Sequence, residues 1–411
     1  MDALSMQIFT HRITDFPGGD KSFVELPFTA GPEVERIEVS YAFPTGAAGS
    51  VIDIGLAHRG RSRGWTGSEY GHIWVAEDRA SAGYHPGPLQ GDWHVVLGIV
   101  RLGPAPFVDL TIRLIPRRDA WLAGELHSHT EHSDGGVLVA EAIARARNSG
   151  CEFVALTDHN ATAQNRIRPD DPAILVLPGM ELTSYWGHSN FHGLDDPVVD
   201  WRCYTPEDVP RKMAEARERG ATVGINHPFQ NSAGGRWQVG FGVPFDFYEI
   251  WNGSWAVHNE QALAHWQALL CEGRRIAVSG GSDFHLKNRR RHGRPANRLH
   301  VQTRSVAGIL DAVRAGANVV CAAPDEAMVT PLPGTPMFGG TLAAGAGVGL
   351  RFTGLAAGDE IRLITESGVV RRSAAQGPVA EIEAAAGRMF LRAELWQADQ
   401  PRLFSNPFYV G

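Results

Sequence analysis

Five short segments of the 411-residue chain carry histidines and acids at spacings that suit metal coordination. They are Gly124-Glu-Leu-His127-Ser-His129 running on to Asp134-Gly135, Thr157-Asp158-His159, Glu181 with the later Phe191-His192, Asn226-His227-Pro228, and Ser282-Asp283-Phe284-His285. Neutral imidazoles mixed with carboxylates suit borderline divalent ions such as zinc, manganese or iron, whereas calcium and magnesium prefer oxygen ligands. A closed structural zinc site needs only about four ligands, so a set this large implies more than one ion, or positions left open for water and substrate. His127 and His129 lie two apart, as do Asp283 and His285, and on an extended strand such residues share a face. Each pair can therefore grip one ion. Glu181 offers two carboxylate oxygens and could bridge two ions, with Asp134, His159, His192 and His227 completing the shell. The pattern points to a metallohydrolase.

Other chemistry-bearing residues lie around this set. Asp158 is expected to orient His159 or to cap a turn, since carboxylates behind a ligand often do so. His132, His188, His258, His265 and His292 fall outside the motif and are taken as structural or surface residues. Glu249-Ile-Trp251-Asn252-Gly253 closes a strand, so Glu249, Trp251 and Asn252 could line a pocket mouth, or form a packed Trp with an Asn-Gly turn. Lys287-Asn-Arg289-Arg290-Arg291-His-Gly-Arg294 follows His285 directly. A charge run is a solvated loop by default. At the rim of a site, Arg290, Arg291 and Arg294 could instead hold a phosphate or carboxylate bidentately.

The elements that must position these groups are legible as two patterns. Residues 1 to about 118 are β-rich. Val108, Leu110, Ile112 and Leu114 alternate with Asp109, Thr111 and Arg113, the period of a half-buried strand. Strands are also predicted over 34–41 and 91–98, separated by Gly/Pro turns, and a jelly-roll-like β-sandwich is the economical arrangement. Pro116-Arg-Arg-Asp119 reads as a linker. Residues 119–325 alternate strands with helices. Apolar runs at 122–127, 153–157, 174–177, 222–225, 247–250, 276–279 and 299–302 make seven strands, and helices are predicted over 206–220 and 305–316, each ending in Gly. This is an α/β class domain, a barrel one strand short of the eight-stranded form, whose chemistry should sit at the carboxyl ends of its strands. The metal segments obey that rule. Residues 326–411 return to β character, with strands near 345–352 and 359–365.

The bulk properties narrow the class. The formal charge of −7 argues against a protein that coats nucleic acid, and no apolar run approaches the ~20 residues of a membrane span. Four scattered cysteines fit a reduced, cytoplasmic compartment, and Met1–Asp15 lacks the features of a signal peptide. The expected partner is a small-molecule substrate; the oligomeric state is open.

The ordered set HxH…SDG, TDH, a lone Glu, a later His, NHP and SDxH resembles the polymerase-and-histidinol-phosphatase (PHP) superfamily, over residues 121 to 325. The resemblance implies a distorted seven-stranded barrel with two or three divalent transition-metal ions. It implies one metal on His127, His129, Glu181 and Asp283, a second on Glu181, His192 and His227, and a third on Asp134, His159 and His285. The flanking Gly64-Trp-Thr-Gly67 segment and the segment Gly83-Tyr-His-Pro-Gly-Pro-Leu-Gln-Gly-Asp-Trp-His-Val-Val-Leu-Gly98 resemble the N-terminal domain of the carbaryl-hydrolase-like branch. Such a site implies metal-activated hydrolysis, with Glu181, Asp283 and Asp134 as the reacting centre and Asp134 or a rim Arg among candidate leaving-group acids. A phosphoester substrate predicts arginines aimed at the metals. A carbamate or carboxyl ester predicts an apolar wall from Tyr185, Trp186, Trp251 and Trp255. A non-catalytic, metal-stabilised module is the third reading.

Overall fold

The computed structural model describes residues 6–411 except Glu69, Asp78, Arg118, Asp119, Asp170, Pro172 and Ala233. The second half of the expected 116–119 linker therefore lies outside the described residues. The chain divides into two compact units, Met1–Asp119 with Gln302–Ser305, and Ala120–Val301 with Val306–Gly411.

The first unit holds β1 (Gln7–Ile13), β2 (Ser22–Ala30), β3 (Val34–Ala42), β4 (Val51–His58), β5 (Arg61–Thr66), β6 (His72–Ala76), β7 (Gly91–Arg101) and β8 (Val108–Pro116). They form two antiparallel sheets, ordered β1-β8-β3-β6 and β2-β7-β4-β5. Alternation decides what faces inward: Val108, Leu110, Ile112 and Leu114 share a core with Ile37 and Val39 of the neighbouring β3 and with Ile52, Ile54, Val95 and Leu97 of the other sheet. Burying each such side chain contributes roughly 1.5–3 kcal/mol.

The Gly64 and Gly83–Pro88 segments turn out to be a loop clamp. Arg63 Nε donates to His85 O at 3.0 Å, Nη1 to Pro88 O at 3.0 Å and Nη2 to Gly87 O at 3.2 Å. Its guanidinium also lies over the Trp93 ring, on which His58 stacks at 4.4 Å. Gly64, at φ +147°, admits the Tyr84 backbone so closely that a Cβ would meet the ring at 2.4 Å.

The second unit is mixed α/β, with large sheets and few helices. Its first strands are β9 (Ala120–Glu125), β10 (Phe153–Leu156), β11 (Leu175–Ser184), β12 (Gly187–His192), β13 (Thr222–Ile225), β14 (Phe247–Asn252), β15 (Ala277–Gly281), β16 (Ala296–Val301) and β17 (Asn318–Cys321). Helices α1 (Val139–Asn148), α2 (Ala163–Ile167), α3 (Asp208–Glu218), α4 (Val257–Cys271) and α5 (Val306–Ala315) connect them. The two predicted helices are α3 and α5. Amphipathic spacing places Val209, Met213 and Ala216 of α3, and Ile309, Ala312 and Val313 of α5, on the buried faces.

Two departures from the expected strand set shape the site. Strand β12, absent from the strands expected of the sequence, inserts antiparallel between β11 and β13. It hides because Gly187-His-Ser-Asn-Phe-His192 is mostly polar yet buried, the inverse of the usual strand signal. Strand β16 is a true strand, but it runs antiparallel along β9 outside the row from β9 to β15. The two ends of that row meet instead beyond β9 and β15, where Ser128 bridges Phe284 and the Asp283 N–H donates to His127 O at 2.9 Å. Amide side chains satisfy the backbone of β15 where a strand partner would otherwise be needed. Asn297 takes both polar groups of Gly280, Asn406 Oδ1 accepts the Val278 N–H, and Asn318 Nδ2 donates to Val278 O.

After β17 the same sheet continues through Gln400–Ser405, Phe390–Gln397, Asp359–Thr365 and Gly368–Ala374. A three-stranded sheet of Met328–Pro331, Gly347–Thr353 and Val379–Ala385 shares its core with these strands.

Candidate metal centre

Six imidazoles and three carboxylates converge where the parallel strands end. His127 and His129 follow β9, His159 follows β10, Glu181 lies on β11, His188 opens β12, His227 follows β13, and Asp283 and His285 follow β15. Asp134 enters from the loop beyond His129. Asp158 holds that loop: its carboxylate accepts from Thr130 N at 2.8 Å, Thr130 Oγ1 at 2.8 Å and Ser133 Oγ at 2.6 Å. Of its two expected roles it therefore fills the turn-capping one.

Glu181 sits at the centre, fully buried. Its Oε1 lies 3.3 Å from His127 Nε2, 3.2 Å from His188 Nδ1 and 3.4 Å from His227 Nε2. Its Oε2 faces His159 Nδ1 at 2.7 Å and His129 Nε2 at 3.6 Å. Asp283 Oδ1 approaches His129 Nε2 at 3.0 Å and His127 Nε2 at 3.5 Å. Farther out, Asp134 Oδ1 is 2.8 Å from His285 Nε2 and 3.4 Å from His159 Nε2, while Lys287 Nζ holds its Oδ2 at 3.0 Å. Two of the groups need unusual backbone: His227 has φ +24° and Asp283 φ +48°. Such left-handed residues cost of order 1–3 kcal/mol and collect at functional sites.

The electrostatics are those of a cation receptor. Burial alone would neutralise Glu181, but the imidazoles of His159, His127 and His188 hold its carboxyl well below the usual range. Asp283 is held low in the same way, by His127, His129 and Arg290 against burial. His127 is pushed the other way: burial disfavours its charge, yet Glu249, Glu181 and Asp283 raise it well above an ordinary imidazole. His129 drops to about 4, chiefly through burial.

The donor set fits divalent ions. His127 Nε2, His188 Nδ1, His227 Nδ1 and Glu181 Oε2 are buried with no hydrogen-bond partner among the described residues, although buried polar atoms are almost always paired. Four groupings bring their ligand atoms within 4.8 Å of one another: His129–Asp134–His159–His285, His127–His227–Asp283, His127–His129–Glu181 and His159–Glu181–His188. The grouping implied by Asp134, His159 and His285 is thus present, with His129 added.

One expected ligand is displaced. His192 shares a face of β12 with His188, but it lies four residues along, roughly 13 Å at strand rise. It pairs across to Gly179 and Thr222 and stacks on Phe247 at 5.6 Å, away from the carboxylates. His188, assigned to structure from the sequence, pairs across to Thr183 and takes its place beside Glu181. The parity of 188 and 192 was legible; which end of an unrecognised strand reached the centre was not.

The expected substrate contacts also resolve differently. Glu249 is buried behind His127, with Oε1 3.0 Å from His127 Nδ1. Asn252 donates to Glu249 Oε2 at 3.1 Å. Arg290 Nη1 donates to Asp283 Oδ2 at 2.8 Å, so it grips a candidate ligand and not open space. Arg291 and Arg294 are exposed, with Arg294 4.0 Å from Asp325. Trp251 and Trp255 pack on Phe404 at 5.7 Å and 5.4 Å, and Tyr185 is exposed at the hairpin turn. His265 meets Tyr248 and His292 stacks on Phe284, structural roles as expected. Sequence reasoning missed two further residues: Asn226, whose Nδ2 donates to Glu181 Oε1 at 2.6 Å, and Glu125, whose buried carboxylate accepts the N–H groups of His127, Ser282 and Gly293.

Among known proteins, no family model matches the chain. A 5'-3' exoribonuclease Rnm of Salmonella typhimurium is 28% identical over 102 residues, which is 23% of this chain and 35% of that protein. Its Escherichia coli namesake is 32% identical over 73 residues, 16% of this chain and 25% of the relative. The chain thus spans about a third or less of the curated relatives it matches. A two-domain Bacteroides vulgatus protein, described as containing a predicted PHP-like metal-dependent phosphoesterase, aligns at TM-score 0.40 and 16% identity, covering 71% of this chain and 96% of its own. An amidohydrolase of Chromobacterium violaceum aligns at TM-score 0.27 and 18% identity, over 39% and 87%. No helix among the described residues is long and apolar enough to cross a membrane.

Proposed function

We propose that the chain is a PHP-type metal-dependent hydrolase, its row from β9 to β15 a distorted seven-stranded barrel, acting on a small-molecule phosphoester. The observation that carries this reading is the convergence of unpaired, buried His and Glu atoms on one edge of parallel strands. His127, His129, His159, Glu181, His188, His227, Asp283, Asp134 and His285 would hold two or three zinc, manganese or iron ions. Bound there, such ions would supply an acidified water and a positive field for the charge that develops on the substrate oxygen.

The chain's own residues set the rest. Glu181 presents both oxygens to opposite sides of the cluster and so fixes where cations can lie. Asp134 is the most open of the carboxylates; burial raises its proton affinity, but Lys287, His285 and His159 more than offset this and keep it ionised. It therefore serves as an acceptor or ligand, with the exposed Lys287 paired to it at 3.0 Å.

Neither the arginine clamp expected for a phosphoester nor a wall of Tyr185, Trp251 and Trp255 assembles at the centre, so the phosphoester reading rests on the His and carboxylate cluster itself and on the exposed Lys287 beside Asp134. The curated relatives named as exoribonucleases would cleave phosphodiesters, which agrees in bond type. The charge of −7 favours a small substrate over a nucleic-acid chain, and free cysteines suit a reducing, cytoplasmic setting. The test is a panel on metal-reconstituted protein with an aryl phosphate, an aryl phosphodiester, an aryl carbamate and an aryl carboxyl ester of one phenol. Turnover of a phosphate ester at least tenfold above the other two classes is expected; preferential carbamate cleavage would overturn the substrate class, and no turnover of any would favour the metal-stabilised module.

A further inference from the structure

We propose that Glu249, Asn252 and Arg290 form a positioning chain that sets how tightly the centre holds its ions, an inference that rests on the metal-hydrolase reading and deepens it. The chain is continuous. Glu249 Oε1 lies 3.0 Å from His127 Nδ1, and its Oε2 accepts the His227 N–H at 2.8 Å and Asn252 Nδ2 at 3.1 Å. Asn252 Oδ1 in turn accepts from Arg290 Nη1 at 3.0 Å, and that same nitrogen reaches Asp283 Oδ2 at 2.8 Å. Glu249 and Asn252 are buried, at 2% and 1% exposure. Three ligand residues from three strand ends are thereby tied to one side-chain path.

Each link has a consequence at the ions. A carboxylate can only accept, so the Glu249 contact keeps a proton on His127 Nδ1 and orients Nε2 toward Glu181 and Asp283, as the nitrogen that would meet an ion. The bond to the His227 N–H pins a backbone held at φ +24°. Arg290 occupies one oxygen of Asp283 and leaves Oδ1 facing His127 and His129. The space for that guanidinium is made by Gly253, at φ +57°, where a Cβ would come within 3.0 Å of the Arg290 guanidinium carbon. Arg290 Nη1 is further committed to Ser282 O at 2.9 Å, so this nitrogen is taken up by the protein.

The probe is Co²⁺ titrated into chelator-stripped full-length protein against a chromophoric competitor, with the Co²⁺ absorption envelope recorded. Glu249→Ala and Arg290→Gln are expected to weaken Co²⁺ binding by about 10–100-fold and to change the envelope. Glu249→Gln, whose Oε1 can still accept from His127, should fall nearer wild type. The double variant Glu249→Ala/Arg290→Gln should lose less than the product of the single losses, because one path is broken twice. At saturating Co²⁺ the KM for an aryl phosphate should stay within about twofold for Arg290→Gln. Thermal melts of the stripped proteins check folding; where Glu249→Ala does not fold, Glu249→Gln and Arg290→Lys carry the comparison. Folded variants that bind Co²⁺ like wild type, or losses that multiply independently, overturn the positioning chain alone. A wild-type protein that binds no Co²⁺ overturns the metal centre itself.

Discussion

The two units each bury a cluster of histidine and cationic side chains, and the clusters differ in how their polar atoms are satisfied. In the first unit, Arg63 gives its donors to the carbonyls of His85, Gly87 and Pro88 and to His58 Nδ1, and its guanidinium face is covered by Trp93. At the strand ends of the second unit, buried atoms of His127, His188, His227 and Glu181 are left without hydrogen-bond partners among the described residues, and several carboxylates share the same space. A satisfied cluster holds a loop in place. A cluster with buried unpaired atoms carries a desolvation cost that its own imidazoles offset in part, and added cations would offset it further.

The sharpest way to break this contrast is to remove a ligand. Asp283→Ala and His127→Ala are each expected to abolish hydrolysis and to lower the metal content from at least two ions per chain, while circular dichroism stays close to wild type. Retention of more than a few per cent of turnover would remove that residue from the ligand set. In the first unit the expected damage is to stability instead. Arg63→Met should cost about 1–2 kcal/mol in denaturant unfolding by removing the half-buried hydrogen bonds that hold the 85–88 loop, with unchanged metal content. A metal loss in Arg63→Met would show that the two clusters are not independent.

A finer comparison lies within β12, between its two inward histidines. His188→Ala should weaken metal retention about tenfold or more, as loss of a ligand does. His192→Phe should leave metal content unchanged and shift stability by less than about 1.5 kcal/mol, since neither ring nitrogen of His192 has a partner to lose. The reverse ranking by elemental analysis would restore the ligand set implied by the family resemblance. The smallest effect belongs to Arg291→Gln. Its exposed side chain makes no ion pair among the described residues, so stability should change by no more than about 0.5 kcal/mol and phosphate-ester kinetics should hold. A raised KM would return the arginine run to substrate binding.

The fate of particular residues shows what kind of information each level carries. The i, i+2 pairs at 127/129 and 283/285, the lone Glu181 and the His of Asn226-His227-Pro228 could be read directly, because each is fixed by local strand geometry. So could the alternating strand over 107–115, whose period survives as the burial pattern of β8. Strand β12 could not, since its inward face meets a polar centre and so lacks the apolar signature of a strand. The displacement of His192 by His188 comes from that one omission.

By itself the sequence determined most of the His and acidic side chains that gather, their place at the strand ends, the α/β character of that unit and the period-two core of the other. Only the tertiary structure decided which end of β12 meets Glu181, that β16 runs antiparallel outside the row, and that Glu249, Asn252 and Arg290 are hydrogen-bonded in one path that touches His127 and Asp283. The reason is physical. Local spacing fixes which side chains share a face, whereas partners such as Glu249 and His127, 122 positions apart, are set by how distant strands pack.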